Sequence, residues 1–242
     1  MMTLDQLVVG YRGQAVALPV SGRFKSGSLT AIMGPNGAGK STLVKTLCGL
    51  QSPVSGRLDV CAAISQVAWL PQRAEMDSDF PISVYEVVAM GCWPKQGIRQ
   101  ALGQDNHIRI ERALAQVGIG DLAARTIGEL SGGQFQRMLF ARMLVQDADV
   151  MVMDEPFAGI DQATQQILLQ LMLALNQQGK TLIAVLHDVT LVRRYFPQLL
   201  LMMPNQVRWG ATGELLTEQR YGSDGVVIPL FHQESLYEHT HH

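Results

Sequence analysis

Gly34-Pro35-Asn36-Gly37-Ala38-Gly39-Lys40-Ser41-Thr42 decides how this chain is read. It fits the pattern G-x-x-x-x-G-K-[ST]. The apolar residues 28–33 in front of it read as a buried strand, and residues 41–48 behind it as a helix stopped by Gly49. Strand, glycine loop and helix are the setting in which this pattern cradles phosphate rather than forming a chance glycine-rich turn. The glycines let successive backbone N–H groups point into one concavity, and the helix N-terminus adds partial positive charge. In such a loop Lys40 reaches the β- and γ-phosphates, and the Ser41 hydroxyl ligates Mg²⁺.

Other apolar runs also end in chemistry. Val150-Met151-Val152-Met153 leads straight into Asp154-Glu155. Two carboxylates directly after a buried strand are costly unless they are paired or ligate a metal. At the carboxyl end of a parallel strand they face a nucleotide crevice. Asp154 is placed to hold Mg²⁺ and Glu155 to polarise an attacking water, with a structural ion pair as the alternative. Residues 181–186 form another apolar strand, followed by His187-Asp188, and we favour a γ-phosphate contact for His187 over a structural role. Residues 67–70 precede Pro71-Gln72, where Gln72 is either a loop residue or a sensor reaching the nucleotide from a strand end. Leu130-Ser131-Gly132-Gly133-Gln134 opens a helix over 135–145, and reads as a second anion-binding helix N-terminus or as a generic turn.

The rest of the chain arranges itself around these points. Residues 4–11 and 14–20 read as an antiparallel pair punctuated by Gly13 and Gly22, with Tyr11 as a core aromatic or a platform for a stacked base. From about residue 75 to 145 strand patterns stop and helical periodicity takes over. Ser83 and Glu86 form a capping box for a helix ending near Gly91, residues 92–106 form a loop, and Asp105 caps a helix with Ile110, Ala113, Leu114 and Val117 on one face. This stretch reads as an inserted helical subdomain. Asp161 caps a helix whose apolar face is Ile167, Leu168, Leu171 and Leu175. Residues 189–195 give a short helix, 199–203 and 207–209 a hairpin, and 214–220 a terminal helix. The tail, about 226–242, carries His232, His239, His241 and His242 and reads as a metal-capture segment, a disordered tail or the remnant of a purification tag.

Composition narrows the function classes. The 242 residues are 47% hydrophobic, enough for a sizeable core, and a formal net charge of −2 argues against binding nucleic acid through bulk charge. Cys48, Cys61 and Cys92 lack C-x-x-C spacing and read as small buried hydrophobes in a reducing compartment. Asp5 interrupts any signal-peptide pattern. The longest apolar runs, such as 199–203, fall far below the roughly 18 residues of a membrane span. A soluble chain is expected, with any membrane role coming through a partner.

Together these motifs resemble the ATP-binding subunit of an ABC transporter, over residues 1 to about 225. Its segments appear in the family's order: Walker A at 34–42, Q-loop at Gln72, signature at 130–134, Walker B at 150–154 with Glu155, a D-loop ending at Asp161, and an H-loop at His187. The resemblance implies an α/β fold: a P-loop NTPase core with an antiparallel β subdomain and an inserted α-helical subdomain, all one ABC ATPase domain over 1–242. It implies ATP and Mg²⁺ as ligands, held by Gly34, Asn36, Gly37, Ala38, Gly39, Lys40, Ser41 and Thr42, with Tyr11 stacking on adenine. Ser41, Gln72 and Asp154 would serve Mg²⁺, and Glu155, His187, Lys40 and Gln72 would carry catalysis. Ser131 and Gly133 would bind the γ-phosphate of ATP held in the P-loop of a second copy, in a head-to-tail homodimer, and Gly132, Gln134 and Asp161 would also serve nucleotide binding. The D-loop, Ala158-Gly159-Ile160-Asp161, departs from the commoner Ser-Ala-Leu-Asp but keeps its Asp.

Residues 80–91 and 154–161 are similar to ATPases of divalent-metal importers for zinc or manganese, with iron-chelate and cobalamin importers sharing much of the pattern. Integral membrane permease subunits, docking near residues 73–93, a separate substrate-binding protein and a place at the cytoplasmic face of the membrane follow from the same resemblance. A non-transport ABC ATPase on nucleic acid or ribosome usually carries two cassettes or a long coiled-coil insertion, and neither is present. A regulatory module without turnover fits poorly with Glu155 and His187.

Overall fold

In the computed structural model, residues 1–61, 67–72, 80–93 and 102–218 are described. The chain opens with β1 (Met2–Val8), β2 (Gly10–Tyr11), β3 (Gln14–Ala15) and β4 (Val20–Phe24). The two strands expected over 4–11 and 14–20 are thus each divided. The first breaks at Val9, between β1 and β2, and within β1 the register slips between Leu4 and Leu7, where Gln6 takes a φ of 45°. The second breaks because Pro19 cannot donate to a ladder and because Val16 and Ala17 turn to lie on the phosphate loop. β2 and β3 meet through Arg12 and Gly13, both at positive φ as a two-residue hairpin requires.

β5 (Leu29–Met33) leads into α1 (Lys40–Leu47), and β6 (Ser55–Val60) returns to pair with β1. β4, β1 and β6 form a three-stranded antiparallel sheet. Among the described residues β7 (Val67–Leu70) is followed by the α-helices α2 (Val84–Ala89), α3 (Gln104–Gln116) and α4 (Gly132–Val145). Then come β8 (Val150–Asp154), α5 (Gln162–Gln177), β9 (Thr181–Val185), α6 (Val189–Tyr195), β10 (Gln198–Met203), β11 (Gln206–Ala211) and α7 (Thr212–Glu218).

The main sheet runs β11-β10-β5-β9-β8-β7, parallel except for the edge pair β10–β11. β5, β8 and β9 are buried at every position, as continuous apolar runs covered on both faces must be. Their side chains alternate between two cores. Ala31, Met33, Met151, Met153, Leu182 and Ala184 join the core shared with α2–α5. Ile32, Val150, Val152, Ile183 and Val185 join α1 and the antiparallel sheet in the other. Adjacent parallel strands therefore present their carboxyl ends side by side.

Several local expectations are corrected. α1 begins at Lys40, one residue early, because Gly39 at φ 85° is the N-cap. α4 begins at Gly132 rather than 135, because Ser131 and Gln134 form a reciprocal capping box: Gln134 N donates to Ser131 Oγ (3.3 Å) and Ser131 N to Gln134 Oε1 (2.9 Å). Asp105 does not cap α3; Gly103 does, and Asp105 sits in the first turn, where its charge suits the helix dipole. Ile167 is 42% exposed, the buried side of α5 being Thr164, Leu168, Leu169, Met172 and Leu175. Cys61 is exposed, while Cys48 and Cys92 are buried as expected. Part of the 92–106 loop, and the histidine-bearing tail, lie outside the described residues.

Candidate nucleotide site

The loop between β5 and α1 places three glycines at positive φ, Gly34, Gly37 and Gly39. At Gly39 a Cβ would stand 2.9 Å from the Ala17 Cβ, so both the backbone angle and the close approach of the 16–17 segment demand glycine. Lys40 is buried and donates from Nζ to the carbonyls of Gly34 (2.9 Å) and Pro35 (2.8 Å). Burial pulls its pKa below the ordinary lysine value, and the negative charges of Glu155 and Asp154 oppose that shift. A cleft of about 1320 Å³ opens over this loop. It is lined by Val16, Pro35, Asn36, Gly37, Gly39, Lys40, Ser41, Thr42, Gln72, Glu155, His187, Asp188, Val189 and Thr190.

Three adjacent strand ends converge on one carboxylate. Gln72 follows β7, Glu155 follows β8 and His187 follows β9. Gln72 Nε2 donates to Glu155 Oε2 (2.9 Å), and His187 Nε2 lies 2.7 Å from Glu155 Oε1. Glu155 has a φ of 50°, a conformation that costs a residue with a Cβ about 1–3 kcal/mol and is stored where geometry matters. The turn takes its carboxylate out of the strand direction and between the two neighbours. Asp154, the last residue of β8, is 1% exposed and close enough to affect the Lys40 and Cys48 charges.

The side chains expected to serve a cation offer hard oxygens: Ser41 and Gln72 line the cleft, while the Asp154 carboxylate is buried and is not among the lining residues. Among the described residues no cluster of three or more His, Cys, Asp or Glu side chains could hold a metal alone. Few protein oxygens beside a polyphosphate cradle suit Mg²⁺, which keeps waters and takes phosphate ligands rather than entering an all-protein cage.

Other expected site residues lie outside this cleft. Tyr11 is 48% exposed, which excludes the core-aromatic alternative, and its hydroxyl accepts from Thr42 Oγ1 (3.3 Å). Ser131 is exposed and Gly132, Gly133 and Gln134 are half-buried, none of them in the cleft lining. Asp161 accepts from Thr164 N (2.9 Å) as the α5 cap, also away from the cleft. Sequence reasoning gave no role to Val16 or to the 188–190 segment, yet both line the cleft. Asp188 left a signal, since it caps α6 by accepting from Thr190 N and Leu191 N. Val16 left none, because only the chain reversal at β2–β3 brings it over the phosphate loop.

With a parallel sheet, a phosphate loop and three convergent strand-end side chains in place, the class is defined. The chain matches the ABC transporter family over residues 18–158 and belongs to that family, as an ATP-hydrolysing cassette. The zinc transport system ATP-binding protein TroB of Treponema pallidum is 39% identical over 250 residues, covering 99% of this chain and 94% of the relative. The manganese transport system ATP-binding protein MntB of Bacillus subtilis is 38% identical over 219 residues, 88% of each chain. An ABC transporter solved in an inward-facing conformation superposes with a TM-score of 0.80 at 28% identity, over 89% of this chain and 84% of that one. A dimeric ATP-binding cassette with ADP and Pi bound gives 0.76 at 23% identity, over 88% and 99%, and supports the fold. No helix among the described residues is long and apolar enough to cross a membrane.

Proposed function

We propose that this chain is the ATP-hydrolysing subunit of a transporter that imports a divalent metal ion, zinc or manganese. The observation that carries the hydrolytic reading is the Glu155 carboxylate, held between Gln72 and His187 beside the phosphate loop. The substrate reading rests on the zinc and manganese transport systems of the relatives described above.

In this reading the Gly34–Thr42 backbone cradles the phosphates. The Lys40 ammonium exchanges the Gly34 and Pro35 carbonyls for β- and γ-phosphate oxygens. Glu155 accepts the proton of the attacking water as its oxygen bonds to the γ-phosphorus and the bond to the leaving ADP oxygen breaks. His187 donates to a γ-phosphate oxygen and orients Glu155. Tyr11 stacks on the base. Mg²⁺ bound by Ser41 and Asp154, with Gln72, would offset charge on the phosphate oxygens.

Ser131, Gly132, Gly133 and Gln134 lie outside the chain's own cleft, which supports a head-to-tail homodimer in which they close over the neighbour's ATP. Only ligand that binds the closed pair better than the separated chains shifts the population toward closure. The closing pair acts on permease subunits, which hold this chain at the cytoplasmic face of the membrane, and a separate protein captures the metal.

Two experiments test this. Glu155→Gln keeps ATP binding and loses about 10²–10⁴-fold in turnover, the range typical of general-base loss; near-normal turnover overturns the base assignment. Cells carrying Lys40→Ala, grown under zinc or manganese limitation, lose accumulation of one of the two metals. Unchanged content of both overturns the substrate.

A further inference from the structure

The Ser131 loop, which this reading assigns to the neighbour's nucleotide, and the loop ending at Asp161, itself expected to serve nucleotide binding, are fastened to each other within one chain. The fastening runs through Thr164, which is 0% exposed in the first turn of α5. Its backbone N donates to Asp161 Oδ1 (2.9 Å), which by itself completes an ordinary helix cap. Its hydroxyl adds a bridge: it donates to Asp161 Oδ2 (2.7 Å) and accepts from Arg137 Nη2 (3.0 Å). Arg137 stands on α4, six residues beyond Ser131, and its Nε is buried with no hydrogen-bond partner among the described residues. Gly133 packs on the same pair, since a Cβ there would come 3.0 Å from Thr164 Oγ1 and 3.2 Å from Asp161 Oδ2. At the other end of the segment, the buried Gln136 side chain donates from Nε2 to the Pro156 carbonyl (2.9 Å).

We infer that Thr164 is a positioning residue whose hydroxyl locks the Ser131 loop to the Asp161 loop, so that both reach the neighbour's nucleotide as one block. The bridge joins a guanidinium to a carboxylate through one hydroxyl, and bonds to charged groups are the strong ones. Capping needs only the Thr164 N–H, and Val keeps that group and the side-chain shape. What Thr164→Val removes is the Arg137–Asp161 link. The inference rests on the head-to-tail dimer proposed above.

The experiment measures ATP-induced dimerisation by analytical ultracentrifugation in the Glu155→Gln protein, alongside binding of a fluorescent ATP analogue to the monomer. Adding Thr164→Val weakens dimerisation by roughly ten-fold or more, as loss of a charge-assisted bond predicts, while monomer nucleotide affinity stays unchanged. Thr164→Ser restores dimerisation. Arg137→Met gives the same loss as Thr164→Val, and the two together lose no more than either alone, as coupled residues do. Dimerisation of the Val variant equal to that of Glu155→Gln alone overturns the inference, as does a Ser variant no better than Val. If Thr164→Val does not fold, Arg137→Met decides, and normal dimerisation there overturns it. A Glu155→Gln protein that stays monomeric at saturating ATP overturns the dimer reading itself, and this inference with it.

Discussion

Single residues here are set by what surrounds them more than by their type. The three cysteines make the point. Cys48, at the end of α1, has its thiol pushed up to about 12, first by burial and then by the nearby Asp154 charge. Burial also raises the Cys92 thiol above its ordinary value. The thiolate is the reactive form, so both are inert in the folded chain. Cys61 is exposed. Thiol labelling at pH 8, read by mass spectrometry, should modify Cys61 quickly and Cys48 and Cys92 only after denaturation. Fast labelling of Cys48 would contradict its burial. Glu155 shows the same dependence in the site: its type was legible beside Asp154, but the positive φ that turns it between Gln72 and His187 was not.

Elements are defined by their ends. Glu86 and Glu129 each sit at the third position of a reciprocal capping box, closing on Ser83 and Thr126. Hydrogen bonds from those side chains and backbones lower both carboxyl pKa values below the ordinary Glu value. A carboxylate depressed in the folded state stabilises fully above its unfolded pKa and loses that contribution as pH falls through the folded one. Stability measured by urea unfolding should therefore drop in the acid range below the ordinary carboxylate value, and the Glu86→Gln/Glu129→Gln pair should flatten that drop. An acid limb of unchanged slope would remove these boxes as its source. Ser83–Glu86 was readable as S-x-x-E. Ser131–Gln134 carried the equivalent S-x-x-Q signal, and it explains why α4 starts at Gly132.

At the scale of the molecule, the function proposed above divides the site between two chains. The cleft collects strand ends from one chain, while the Ser131 loop and Asp161 lie elsewhere on the same chain. Mixing two inactive variants tests this division. Lys40→Ala damages the phosphate loop and Ser131→Ala the donated loop, and each homodimer has two defective sites. A mixed dimer has one site with both defects and one with neither. An equal mixture should recover about a quarter of the ATPase rate, since half the dimers are mixed and each holds one intact site of two. No recovery would argue for sites contained within single chains.

The sequence by itself determined the parts whose signals are local. The phosphate loop, the strands that end in Gln72, Glu155 and His187, and the order of motifs along the chain were all legible, because backbone cradles and strand-end placement depend on neighbouring residues. The alternation of the central strands between two cores and their order β10-β5-β9-β8-β7 were decided only in three dimensions, since they depend on which runs pair across the chain. The same holds for Val16 lying over Gly39, for the clamp on Glu155 and for the Arg137–Thr164–Asp161 bridge. Each joins groups that are distant in sequence or turned by an unusual backbone angle, and no local pattern records such a meeting before the chain has folded.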